Sequence, residues 1–266
     1  MVTAQRRWIG VSVFVAVIGV GFIVAAFATD HWIVSEPKGN ATNQNSTGGS
    51  SSRYTANITF GLFTGSSHID YGLGIRSENL ILKCNVSEEV CAYVDKLIPS
   101  EDLRLMIETY KNQTDGTHLD EHWFGLFSFP LFVATLLMLV LAVVWGLVAI
   151  GFGIFNVFGR PIETITGPTG LYAWNSLALI FSLAAVGVYL GLFFSQFEEN
   201  ILQESDLRRG FTSDGLTDLD YSFYFVVGAV AAFFVNVVIL IISDRKCSCS
   251  FSRSAEKEVD NGMILY

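Results

Sequence analysis

Four long apolar runs divide this chain, and the stretches between them are polar. The runs cover 8–29, 128–156, 171–194 and 221–243. Each is long enough to cross a hydrocarbon core of about 30 Å, which takes about 20 helical residues. Trp8 to Thr29 carries no charge and outlasts the ~7–15 apolar residues of a secretory signal. Asp30, His31 and Trp32 follow Ala28 and Thr29, so no small-residue cleavage site is present and the run reads as a span. The second run lies in a charge-free stretch of 37 residues from Trp123 to Gly159, more than one vertical crossing needs. Either its helix tilts and projects beyond the bilayer, or an interfacial segment ending near Pro130 precedes it.

The polar stretch 30–127 has a pattern of its own. Gly39 to Ser52 is dominated by Gly, Ser, Thr and Asn, the composition of a flexible lead, taken here as 39–53. Between Tyr54 and Phe63, Ile58, Phe60 and Leu62 alternate with Asn57, Thr59 and Gly61, which predicts a strand; 79–84 predicts a second. Ser100 is placed to cap a helix whose first turn holds Glu101 and Asp102. Its Leu103, Met106, Ile107 and Tyr110 recur at i, i+3, i+4 and i+7. Packing that stripe over the strands makes a compact unit over 54–122, although a partner-binding face would show the same stripe. The expected fold is therefore a membrane protein, mainly α: a four-helix transmembrane bundle with a small extracellular cap of β-strands and one helix.

Composition narrows the function. Hydrophobic residues make up 51% and charged ones 15%, so lipid is the expected solvent. A net charge of −9 without clustered Lys and Arg argues against nucleic acid. The spans hold almost no ionisable groups, which argues against a proton relay, voltage sensor or ion path. They do hold Gly187 with Gly191, Gly228 with Ala232, and Asn175 and Asn236, residues suited to helix association, expected here within one chain.

Two signals orient the chain. Arg6 and Arg7 precede the first span and Arg245 and Lys246 follow the last, which puts both termini, 1–7 and 244–266, in the cytoplasm. All five Asn-x-Ser/Thr sequons, at Asn40, Asn45, Asn57, Asn85 and Asn112, fall in 30–127, as an extracellular, glycosylated loop requires. The turn 157–170 is then cytoplasmic, and 195–220, with seven acidic residues against Arg208 and Arg209, is a second outer loop. In an oxidising compartment Cys84 and Cys91 are expected to form a disulfide, stabilising the chain by about 2–3 kcal/mol. His118 and His122 have a chelating i, i+4 spacing but no third ligand, so a solvated stalk is expected and no metal or other cofactor. Cys247 and Cys249, beside the last span, are candidates for palmitoylation. The C-terminal Ile264, Leu265 and Tyr266 fit a PDZ ligand, with an extended terminus adding a strand to the domain.

Two segments resemble the clarins. One is the turn from Phe155-Asn156-Val157-Phe158-Gly159-Arg160-Pro161-Ile162-Glu163-Thr164 through Gly167-Pro168-Thr169-Gly170-Leu171-Tyr172; the other is Phe60-Gly61-Leu62-Phe63-Thr64-Gly65 followed by Tyr71-Gly72-Leu73-Gly74. Trp32 and the Gly61-Leu62-Phe63 triplet are similar to the Trp and Gly-Leu-Trp elements of the wider claudin-like superfamily. The chain departs from the clarin pattern in carrying Tyr71 where a cysteine precedes Gly-Leu-Gly, and in its longer, sequon-rich loop. It thus reads as a divergent or invertebrate member. The resemblance implies a non-enzymatic plasma-membrane protein of sensory cells, hearing included, associated with hair-bundle mechanotransduction, synapses and cortical actin.

The first functional expectation is an organiser or auxiliary subunit of such complexes. A claudin-like adhesion or barrier protein is the alternative, and a channel, transporter or membrane enzyme a remote third. The expected partners are the bilayer, a PDZ scaffold, a channel or adhesion complex, and further copies of the chain.

Overall fold

A computed structural model describes residues 2–39, 54–70, 74–112, 121–159 and 168–262. Helix α1 (Val2–Ala28) leads into strands β1 (Ile33–Ser35), β2 (Lys38–Gly39), β3 (Tyr54–Phe60), β4 (Thr64–Asp70), β5 (Ile75–Asn85) and β6 (Val90–Asp95). Then come helix α2 (Pro99–Lys111), a 3-10 turn at Glu121–Phe124, strand β7 (Leu126–Ser128) and helices α3 (Phe129–Phe158) and α4 (Pro168–Leu192). A π-turn at Phe193–Phe197 precedes the short α5 (Glu204–Leu207), β8 (Phe211–Thr212), β9 (Thr217–Leu219) and α6 (Tyr221–Gly262). Four stretches, Arg6–Ala28, Phe129–Phe158, Gly170–Phe197 and Tyr221–Ser243, are helical, long and apolar enough to cross a membrane.

The β-structure exceeds the small cap expected from the loop. Among the described residues nine strands form one antiparallel sheet, in the order β7-β6-β5-β4-β3-β1-β9, with β2 pairing β3 and β8. The 195–220 segment, which shows no strand signal, supplies β8 and β9. Residues 61–63 form a turn, so the alternation read over Tyr54–Phe63 ends at Phe60, and the strand expected at 79–84 extends to Ile75–Asn85. The helix expected to start with Ser100 as its cap starts at Pro99 with Ile98 as N-cap and no side-chain cap bond. The fixed φ of proline suits the first helical turn, and Ser100 is drawn inside the helix. Before Pro130 the chain is a 3-10 turn and a strand, so the helix begins only at Phe129.

The chain forms two compact units. One comprises Met1–Ile23, Met138–Ala184 and Val227–Tyr266, the other Val24–Leu137 and Ala185–Val226. In the first, helices approach closely at small residues: a Cβ at Gly146 would come within 2.6 Å of Val20 Cγ2, and one at Gly19 within 3.1 Å of the Phe233 ring. Asn236 Nδ2 donates to Asn175 Oδ1 across helices at 2.6 Å, and Asn175 Nδ2 donates to the Leu171 carbonyl at 2.8 Å. Trp145 and Trp174 stack at 5.3 Å. Gly228 faces the Phe22 ring, as a within-chain contact requires, but a Cβ built at Gly187 or Gly191, in the second unit, would meet no other helix or loop of the described structure within 4 Å. For those two glycines the expected within-chain packing is absent among the described residues.

In the second unit, the β5–β6 hairpin sets Cys84 opposite Cys91, and the two are disulfide-bonded. Val90, Ala92 and Val94 of β6 form a buried apolar cluster with Leu103 and Ile107 of α2, Phe124 and Leu126. Met106 and Tyr110 pack against it, so all four positions of the α2 stripe turn inward onto the sheet. Internal packing, not a partner face, accounts for that stripe.

Candidate functional site

Trp32 is a buried anchor of the second unit. It lies just past the end of α1, where helical carbonyls lack intrahelical donors. Its Nε1–H donates to the Ala26 carbonyl at 2.7 Å, and the Thr29 hydroxyl donates to the Ala25 carbonyl at 2.8 Å. The indole is 1% exposed and meets the rings of Tyr189 at 4.8 Å and Phe223 at 6.3 Å edge-on. The backbone of Trp32 is held from both sides: its N–H bonds the Phe60 carbonyl, and its carbonyl accepts from Asp220.

Gly61 follows Phe60. A Cβ there would lie 2.6 Å from Asp30 Cα, so only glycine admits this crossing of the two backbones. Leu62 is buried, and the Tyr93 hydroxyl donates to the Gly61 carbonyl at 2.6 Å. Burial first, and the negative charge of Asp30 second, push the Tyr93 phenol well above its ordinary value, keeping it a donor. The Thr64 hydroxyl holds Asp30 Oδ1 at 2.6 Å. At the rim, His31 Nδ1 stands 2.9 Å from Asp220 Oδ2, and the imidazole stacks on Tyr221 at 4.8 Å.

The second loop closes the inner face of the sheet. Asn200 is its organiser: it bonds both its own loop at Leu202 and the Ser213 hydroxyl, which in turn accepts from the Ile201 N–H. The π-turn adds one residue to the last turn of α4 and brings Gln196 to the Ser128 N–H of β7, accepting at 2.8 Å. Gln203 Nε2 reaches the Tyr93 carbonyl at 3.3 Å. Ser35 and Thr217 pair their hydroxyls at 3.0 Å between β1 and β9. These groups form a structural lock. Among the described residues no three His, Cys, Asp or Glu side chains gather as a metal site would need.

The sites expected from sequence are dispersed. Asn57 lies on β3, Asn85 ends β5 beside the disulfide, and Asn112 is the C-cap of α2. Asn40, Asn45, His118 and Ile264 to Tyr266 lie outside the described residues. Cys247 and Cys249 lie on the backbone of α6, with their side chains outside the described ones. Sequence reasoning found Trp32 and the Gly61-Leu62 pair through resemblance. It missed Tyr93, Tyr189, Asn200 and Asp220, whose partners lie far away in sequence; the one signal for Tyr93 is its place in an unbroken apolar run from Val90 to Val94.

A family model described as Clarin-2-like matches residues 121–242. Human Clarin-3 is 33% identical over 115 residues, 42% of this chain. Over this stretch the chain is similar to the clarins. It spans about half the length of the curated relative it matches, 49% of the human protein. The four span-capable helices, together with this similarity, make it a multi-pass membrane protein. Neither match is to an enzyme family. The clarin-like stretch takes in the last three spans, the π-turn and the second loop, whereas β1–β6 and α2 precede it.

Proposed function

We propose that this clarin relative is a non-enzymatic organiser or auxiliary subunit of sensory-cell membrane complexes, of the hair-bundle, synaptic or actin-linked kind. The observation that carries the reading is the joint sheet: β9 pairs β1 and β8 pairs β2, so two loops far apart in sequence share one sheet. A sheet built from both loops suits presentation to a partner better than conduction, since the spans offer almost no ionisable groups for an ion path.

In this reading the sheet faces outward from the plasma membrane, both termini are cytoplasmic, and Asn40, Asn45, Asn57, Asn85 and Asn112 are glycan acceptors. The tail binds a PDZ scaffold through Ile264, Leu265 and Tyr266, and acyl chains on Cys247 and Cys249 hold it at the bilayer. Proximity labelling in native cells tests the role: channel and scaffold proteins among the labelled neighbours support it. Enrichment of junction proteins instead favours the second reading, claudin-like adhesion, for which the similarity of Trp32 and Gly61-Leu62 to claudin elements is the specific ground.

A further inference from the structure

The three described sequon asparagines come from separate elements, yet they share one face of the sheet. Asn57 pairs with His68, and His68 with Ser77. Counting by twos along β5 from Ser77 reaches Asn85, which stands opposite Val90. Directly opposed residues of antiparallel strands point the same way, and Val90 is a residue that α2 covers. Asn112 ends that same helix. The opposite face, carrying Ile58, Leu80 and Tyr93, is closed by residues 196–203.

Two open grooves lie along the sequon-bearing face. One, ≈ 370 Å³, is lined by Asn57 with Lys38, His68 and Asp70 and by the apolar Pro37 and Ile75. The other, ≈ 450 Å³, is lined by both Asn85 and Asn112, with Arg104 and Glu108. Lys111 and Glu88, also in its walls, form an ion pair at 2.6 Å that ties α2 to the β5–β6 turn. Between the grooves runs a hydroxyl-rich strip in which Thr59 bonds Ser66 and His68 bonds Ser77. The polar groups of these walls offer the donors and acceptors that sugar hydroxyls take up, and the apolar ones lie against the C–H faces of sugar rings.

We propose that this face is a carbohydrate-covered surface, with N-linked glycans on Asn57, Asn85 and Asn112 seating their inner sugars in the two grooves. The covering withdraws the face from protein contact and leaves partners the remaining surface. The inference rests on the outward placement of the loop in the functional reading above, and it counts against adhesion through this face.

The test uses the full chain expressed in animal cells. Glycopeptide mass spectrometry reads occupancy at the three sites, and diethyl pyrocarbonate modification reads the access to His68. The expected result is sugar at all three, and carbethoxylation of His68 several-fold faster after enzymatic deglycosylation while His31 is unchanged. Asn57→Gln should reproduce the gain at His68. Occupied sites with no change at His68 overturn the covering. Empty sites on a loop that protease reaches from outside overturn it too and leave the topology standing; empty sites on a protease-protected loop bring down the functional reading itself.

Discussion

The helical unit and the sheet unit solve the same problem in different solvents. In the helical unit the apolar surface faces lipid, so burial gives little drive and close approach must supply it: Gly146 against Val20, Gly19 against Phe233, and the Asn236–Asn175 bond. In the sheet unit water rewards burial, and Trp32, Phe124, Leu62 and Val94 are almost fully covered. There the polar groups are spent on joining loops, as Asn200, Ser213 and Gln196 are. The difference teaches where damage will be costly: a large side chain lost from the sheet unit costs more than a polar pair lost from the helices.

Trp32→Ala should break this comparison hardest. It removes a buried ring and the bond to Ala26, at a cost of about 3–5 kcal/mol, read as lost cell-surface expression and a large fall in Tm in detergent. Trp32→Phe, which keeps most of the packing and loses the bond, should fall between. Opening the Cys84–Cys91 bridge with paired serines should cost about 2–3 kcal/mol, seen in the same melts. Gly61→Ala forces a methyl against the Asp30 backbone and should cost about 1–3 kcal/mol. If Gly61→Ala melts like the parent, the crossing at Asp30 is not a constraint.

Tyr93 sharpens the comparison through pH. Its folded-state phenol titrates above the ordinary 10.0, so the associated stability is complete below that pH and is lost as pH rises toward the folded value. Alkaline unfolding of the sheet should begin above about pH 10. Tyr93→Phe should flatten that alkaline limb while costing about 1 kcal/mol at neutral pH for the bond to Gly61. The smallest effect belongs to the helices: Asn236→Leu should cost about 0.6 kcal/mol, the mean for hydrogen bonds between membrane helices. A loss as large as that of Trp32→Ala would erase the contrast between the units.

Legibility followed the range of the interaction. The α2 stripe was readable because Leu103, Met106, Ile107 and Tyr110 repeat within one helix. The β3 strand was readable from its alternation, and the disulfide from the spacing of two cysteines. Strand β9 was invisible: Thr217–Leu219 is too short to carry a period, and its partner β1 lies far back in the chain. The unbroken apolar run of β6 hid which residues face α2 and which face the second loop. Similarity to the clarins through residues 121–242 supports the spans and leaves the larger part of the sheet to be read from the structure.

Sequence by itself determined the four apolar helices and the Cys84–Cys91 closure, because hydrophobic length and short loop closure are properties of contiguous residues. Tertiary structure alone decided that two loops share one sheet, that Gly61 must pass Asp30 without a side chain, and that Asn57, Asn85 and Asn112 share one face. Those outcomes depend on register and on contacts between distant segments, where shifting a strand by a single residue would reverse every face.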